Sequence, residues 1–391
     1  MSVIIRYILR ELGVTFLFGF VAFTSLLLIF GLVAKAMEKH LPMVYIVQLI
    51  PFTFVEMIPI SLPVTLLLAV TIFFARMSGN NEVIALKALG IPPKAFLIPV
   101  FVIAFIISII GVGINELAIS WGPRGAAAVL YYGADKILIE QLTQTHSFET
   151  RNQQITISVK GVDEQRRLIR PTIFLRKEGI MIEAKSAQIT ANFAENIMTI
   201  SFVDMKVSGG GIGGAFSERE VQILLSEIMT TGESNRPARW SLYRISREKK
   251  NTIEQIAHQR RIIAAHRTFG ASMGSVDDWT KPQIIDAQSS IRSLQSHYNK
   301  LSVEPPRRWA TGFSCFFFVW LGAPLAIWMR KSDFFSSFFA CFIPILIVYY
   351  PLMTFGFNQA KAGALPPMSV WLANVGIGLA GLWFLRQIHR Y

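Results

Sequence analysis

Six long apolar runs interrupt this chain, and they limit its fold more than any other feature. They cover residues 12–36, 55–75, 96–119, 309–329, 335–357 and 369–385. An apolar helix of about 20 residues crosses the hydrocarbon of a bilayer, and it satisfies every backbone N–H and C=O internally. In a chain of 391 residues that is 52% hydrophobic and only 16% charged, such runs read as transmembrane helices of a polytopic membrane protein. The first run follows Arg6 and Arg10, is too long for a cleavable signal and lacks a small-residue cleavage site. Cys315 and Cys341 both fall inside apolar runs, where they read as small buried hydrophobes rather than disulfide or metal partners.

Charge then orients the spans. The net charge is +13. Arg6 and Arg10 precede span one, Arg76, Lys87 and Lys94 lie between spans two and three, and Arg330 and Lys331 between four and five. Arg386, His389 and Arg390 follow span six. These segments share one side, whereas the opposite short loops hold Lys35, Lys39 and Lys361 against Glu38. The Lys/Arg excess therefore predicts both termini in the cytoplasm and the large insert on the far side. Trp121, Trp309, Trp328, Trp371 and Trp383 fall near span ends, as an interfacial aromatic belt requires.

The organisation predicted is as follows. Residues 1–119 carry transmembrane helices one to three with a cytoplasmic helix at 80–90, and residues 307–391 carry helices four to six. Residues 120–238 form a β-domain outside the cytoplasm. Within it QQITISVKGV, RPTIFLRKEG, IMIEAKSAQITANF and NIMTISFVDMKVSG alternate or run apolar between turn residues. Residues 239–306 form a helical extension with a helix-breaking stretch at 270–280, and VEPPRR re-enters the membrane.

Motifs for catalysis are missing. GGGIGGAF (residues 209–216) contains GxGxxG but follows β-structure outside a βαβ unit, so it reads as a hairpin loop. The chain contains no GxxxxGK[ST], HExxH or GxSxG, and its six histidines show no zinc-ligand spacing. If ATP drives its work, another subunit hydrolyses it. A basic run, Arg236, Arg239, Arg244, Arg247, Lys249, Lys250, Arg260, Arg261 and Arg267, reads either as a solvated helix face or as a contact for anionic head groups or an acidic ligand.

Two places carry a binding hypothesis. ARMSGNNEVIALKALGIPP (residues 75–93) predicts a short helix, with Asn80 or Asn81 at its start and Gly90, Pro92 and Pro93 at its end. Glu82 falls on a stripe with Ala85, Leu86 and Leu89. That acid either complements the helix dipole or meets a basic group on a partner; an anionic edge does not suit an anionic leaflet. Lys35, at the outer end of span one, either snorkels to the interface or faces a cavity and pairs with a ligand phosphate. Glu56, near the outer end of span two, is open to the same two readings.

Several stretches together resemble one family. IIRYILRE opens the chain; EMIPISLPVTLLLAVTIFFARMSGNNEVIALKALGIPP covers span two and the short helix. LGAPLAIWMRKS, YYPLMTFG and GALPPMSVWLANVGIGL follow near the end. This is similar to the LptF/LptG permeases of the bacterial lipopolysaccharide exporter. The resemblance implies six spans with a periplasmic β-jellyroll between spans three and four. It also implies a second LptF/LptG-type permease and a cytoplasmic ABC ATPase dimer. A periplasmic jellyroll protein of an export bridge would receive the lipopolysaccharide. It carries no cofactor into this chain, since ATP and magnesium belong to the ATPase. It places Glu82, Ala85, Leu86 and Leu89 on the helix that contacts the ATPase, and Lys35, with Lys39 beside it, against lipid A phosphates. The implied product is a transporter permease of the inner membrane and not an enzyme. Three alternatives stay open here: a permease for another envelope lipid or lipoprotein, an integral-membrane lipid-modifying enzyme, and a scaffold for periplasmic partners.

Overall fold

The computed structural model describes residues 3–39, 41–149, 155–163, 165–176, 179–192, 197–209, 213–224, 237–272, 282–329 and 334–390. Among these, six helical segments are long and apolar enough to cross a membrane: Ile5–Met37, Met43–Gly79, Lys94–Tyr132, Ile284–Trp328, Ser336–Ala362 and Pro367–Ile388. The chain divides into two compact units, one of Met1–Ser25, Met57–Ser120 and Trp240–Tyr391, the other of Leu26–Glu56 and Trp121–Arg239.

The helices outrun the apolar runs that announce them. α1 (Val3–Lys39) and α2 (Met43–Gly79) have 37 residues each, so about 55 Å at 1.5 Å per residue. Then come the short α3 (Glu82–Ala88), α4 (Lys94–Tyr132) and α5 (Ala134–Thr145). After the sheet follow α6 (Leu242–Ser272), α7 (Pro282–Trp328), α8 (Phe334–Pro344), α9 (Tyr350–Ala362) and α10 (Leu372–Arg390).

In the first unit, α2, α4 and α7 share a core. Leu66, Val70, Phe73 and Phe74 of α2 meet Phe96, Leu97 and Val100 of α4 and Val319 and Ala323 of α7. Span five is α8 and α9 joined by a π-turn, Ile345–Tyr349. Its cause is local: the Tyr350 N–H reaches back to the Ile345 carbonyl, and the next residue, Pro351, has no N–H to offer.

The helical extension is an antiparallel coiled coil. On α6, Ile245, Lys249, Thr252, Ile256, Gln259, Ile263 and His266 turn inward, alternating by four and three. On α7, Ile284, Ala287, Ile291, Leu294, Tyr298 and Leu301 answer by three and four, which is the seam of a two-stranded coil. Ile245 packs with Leu301, and the Lys249 ammonium lies 5.1 Å from the Tyr298 ring centre. Two members of the basic run are thereby partnered, since Arg244 lies over the Trp240 ring. Arg236 lies outside the described residues. VEPPRR, where the chain is expected to re-enter the membrane, is helical: Pro305 and Pro306 lie inside α7, which runs unbroken from the extension into the fourth candidate span.

The second unit holds the sheet. β1 (Ser147–Glu149), β2 (Ile155–Ser158), β3 (Gly161–Val162), β4 (Leu168–Ile169), β5 (Thr172–Leu175), β6 (Ile180–Glu183), β7 (Ser186–Asn192), β8 (Ile197–Gly209) and β9 (Gly214–Leu224) make one nine-stranded antiparallel sheet. The strand order is β1-β2-β5-β6-β8-β7-β4-β3, with β9 also paired to β8, so β2–β5, β6–β8 and β4–β7 join strands that are not consecutive in the chain. The breaks between β2 and β3, β4 and β5, and β6 and β7 align, and hydrogen bonds from Lys160, Arg170 and Lys185 cross them. Along that line the inward phase shifts by one residue: Met198, Ile200 and Phe202 give way to Met205, and Ile182 and Ala184 to Ala187 and Ile189. Arg170 and Asp204 take positive φ there, 48° and 55°. The sheet bends at this corner into a curled, jellyroll-like half-barrel, closed on one side by Leu138 and Leu142 of α5.

The corner makes one prediction. Asp204→Gly is expected to leave folding intact, while Asp204→Val puts a β-branched residue at positive φ and costs about 1–2 kcal/mol. Thermal unfolding of the two variants side by side reads the difference; equal midpoints would dismiss the strain argument.

Candidate coupling and cargo sites

The predicted short helix is α3, seven residues long. Asn81 occupies its N-cap position at φ 60° without a side-chain cap bond, and Asn80 Nδ2 donates to Glu82 Oε1 at 3.4 Å. Gly90, at φ 79°, ends it: its N–H bonds the Lys87 carbonyl, and the Ile91 N–H bonds that of Leu86. Val83, 5% exposed, plugs α3 into the helical core, and Leu86 packs beside it. Lys87 Nζ donates to the Ile388 carbonyl at 3.3 Å, a cation near the C-terminal end of α10. A cavity of about 180 Å³ lies beneath, lined by Ser78, Val83, Ile84, Lys87, Ile327, Trp328 and Ile388.

The expected stripe is therefore divided. Leu86 faces inward and anchors the helix. Ala85 and Leu89 are exposed, Leu89 at 76%, beside exposed Ile84 and Ala88 and half-exposed Glu82. α3 thus presents a small, largely exposed apolar face with one half-exposed acid at its start.

At the other end of α1, Lys35 is not solitary. Its ammonium donates to Glu56 Oε2 at 2.8 Å and to Thr53 Oγ1 at 3.0 Å. Both ambiguous residues of the sequence thus belong to one cluster, completed by Thr53, which is fully buried. The seam that positions Glu56 is made of glycines. A Cβ on Gly122 of α4 would lie 2.7 Å from Glu56 Cγ, and one on Gly125 would lie 2.0 Å from the Phe52 ring. The bare backbone of α4 lets α2 approach that closely, and Trp121 covers Phe52 with ring centres 5.0 Å apart. Lys39 is the last residue of α1, and its side chain lies outside the described residues.

A third polar cluster was not foreseen. The Arg308 side chain, 2% exposed, bonds Glu116 through Nη1 and donates to the Trp240 carbonyl through Nη2. Glu116 Oε1 also accepts from the N–H of Leu242, the first residue of α6, at 2.8 Å. One turn away, Arg307 pairs with buried Glu304 at 2.7 Å. The available signal was Glu116 itself, an acid near the end of the third apolar run, and the paired arginines before the fourth.

Of GGGIGGAF, residues 210–212 lie outside the described residues; Gly209 ends β8 and Gly214 begins β9, opposite Val207 in an antiparallel pair and not in a βαβ unit.

Six candidate spans, a short amphipathic helix between the second and third, and a curled sheet between the third and fourth in the chain give the layout of a polytopic membrane protein. The chain belongs to the LptF/LptG family: the family described as lipopolysaccharide export system permease LptF/LptG matches residues 6–387, nearly its whole length. With six apolar helices in a permease family, it is a multi-pass inner-membrane protein and a transporter component. No individual curated protein matches it.

Proposed function

We propose that this chain is the permease subunit of an ABC transporter that extracts lipopolysaccharide from the inner membrane and hands it to a periplasmic bridge. The family match over residues 6–387 carries the reading. Both termini and α3 face the cytoplasm, which the Lys/Arg excess of those loops supports, and the sheet lies in the periplasm. The free face of α3, with Glu82, Ala85 and Leu89, receives a cytoplasmic ATPase dimer that binds ATP and magnesium, while Leu86 and Val83 anchor the helix to the spans. Thrust on α3 passes through packed side chains rather than a flexible loop. A second LptF/LptG-type permease pairs with this chain to enclose the cargo, and a jellyroll protein of the bridge continues the sheet. Lys35, with Lys39 beside it, meets a cargo phosphate. The chain itself performs no covalent chemistry.

The test is mass spectrometry of what copurifies with the chain from its native membrane. Lipopolysaccharide together with an ABC ATPase is the expected result. Recovery of a phospholipid or a lipoprotein in place of lipopolysaccharide would replace the cargo, and recovery of no ATPase would favour a scaffold.

A further inference from the structure

Lys35 is already occupied. Its ammonium is held by Glu56 at 2.8 Å and Thr53 at 3.0 Å, which uses two of its three N–H donors. The side chains of Lys35 and Glu56 keep 29% and 22% of their surface exposed. The pairs in the helical core differ: Arg308 keeps 2% and Glu304 1%. Opening a partly exposed pair loses less than opening a buried one, because each ion keeps an open side for a new partner. Opening a buried one leaves a bare charge, so it stays shut. Of these pairs, Lys35–Glu56 is the one built to exchange.

Its parts are arranged for exchange rather than collapse. Thr53 and Glu56 stand one turn apart on the same face of α2, and Thr53 is fully buried, so its hydroxyl keeps the ammonium in place when the carboxylate leaves. Glu56 rests along the bare backbone of Gly122, where a Cβ would come within 2.7 Å of its Cγ. The carboxylate thus has a shaped resting place beside the cation.

We propose that Glu56 is an internal stand-in for the cargo's phosphate: it holds Lys35 in position until a phosphoryl group displaces it, and so selects phosphorylated lipids over neutral ones. The inference rests on the reading that Lys35 meets a cargo phosphate. A phosphate monoester near neutral pH carries about −1.5 to −2 charge and three acceptor oxygens. A carboxylate carries a single charge on two oxygens. The phosphoryl group can therefore outbid Glu56 and engage the third ammonium donor, whereas a neutral head group cannot.

The experiment uses the full-length protein with its partners in nanodiscs, titrated with diphosphoryl lipid A and with the same lipid after enzymatic dephosphorylation. Glu56→Gln is expected to tighten binding of the diphosphoryl lipid about three- to fivefold, the size of a partly exposed ion pair, and to leave the dephosphorylated lipid unchanged. Gly122→Ala, which displaces Glu56 without removing its charge, is expected to act in the same direction. Lys35→Gln should weaken binding of the diphosphoryl lipid, and Glu56→Gln should add nothing in that background. If Lys35→Gln weakens binding while neither Glu56→Gln nor Gly122→Ala tightens it, the stand-in role is overturned and the phosphate contact survives. If Lys35→Gln has no effect, both fall together.

Discussion

Arg308→Ala is expected to destabilise the helical unit by roughly 3–5 kcal/mol, the range for removing one partner of a buried ion pair. Two groups lose a charged partner and a void opens at once. Glu116 keeps only the Leu242 N–H, the Trp240 carbonyl loses a charged donor, and the volume of the guanidinium is left empty in a site 2% exposed. The cluster ties α4, the start of α6 and α7 through one side chain, so its loss also frees the root of the coiled coil. The protein carries its own reporters: Cys315 on α7 and Cys341 on α8 are free and buried, and a thiol-reactive dye reads their exposure as the detergent-solubilised protein is heated. Arg308→Ala should label at clearly lower temperature than wild type, while Lys35→Gln, at a partly exposed pair, should shift it little. Glu116→Leu combined with Arg308→Met should recover part of the loss, since no bare charge remains, but not all of it, because the Leu242 N–H loses its acceptor and the Trp240 carbonyl a charged donor. Labelling of Arg308→Ala at the wild-type temperature would show that the cluster is not a structural joint.

How much of this was legible in the sequence depends on where the physical signal was written. The spans were legible because about 20 apolar residues in a row admit few other folds. Their ends were not: once α4 passes residue 119 it continues as WGPRGAAAVLYY to Tyr132, and apolarity no longer distinguishes helix from loop there. The same holds for α5, which occupies the start of the region assigned to the β-domain. Nor does local chemistry announce that α7 runs through Pro305 and Pro306, since a helix-interior proline removes a hydrogen bond from the carbonyl four residues back. Packing holds the helix there: Leu301, Val303 and Glu304 are all but fully buried, and Glu304 pairs with Arg307 within the same turn. β9 escaped notice because residues such as Ser217, Glu218, Arg219 and Glu220 are exposed and show no apolar alternation; only pairing along β8 makes it a strand. In the candidate sites, the short helix and its acid could be read from local pattern alone. The Lys35–Glu56 pair could not, because no local rule sets the register between α1 and α2.

The outward face of α3 carries the largest functional prediction. Leu89→Asp and Ala85→Asp are expected to abolish copurification of the cytoplasmic ATPase and lipopolysaccharide export, while the protein keeps its wild-type unfolding temperature. The reason lies in the division of the helix. Leu89 is 76% exposed and Ala85 is exposed, so a carboxylate there meets water in the isolated chain and costs the fold little. In a docked interface the same carboxylate would be stripped of water beside apolar contacts, a penalty of several kcal/mol unless a cation is supplied. Glu82→Ala should weaken the association less, because a half-exposed acid at an interface rim contributes modestly. Val83→Asp should behave differently again: Val83 is 5% exposed within the helical core, so its loss unseats α3 and lowers the unfolding temperature as well. The pattern across the four variants separates docking from folding. An Ala85→Asp or Leu89→Asp protein that still retains the ATPase and exports lipopolysaccharide would remove the outward face of α3 from the coupling path, whatever happens at Glu82.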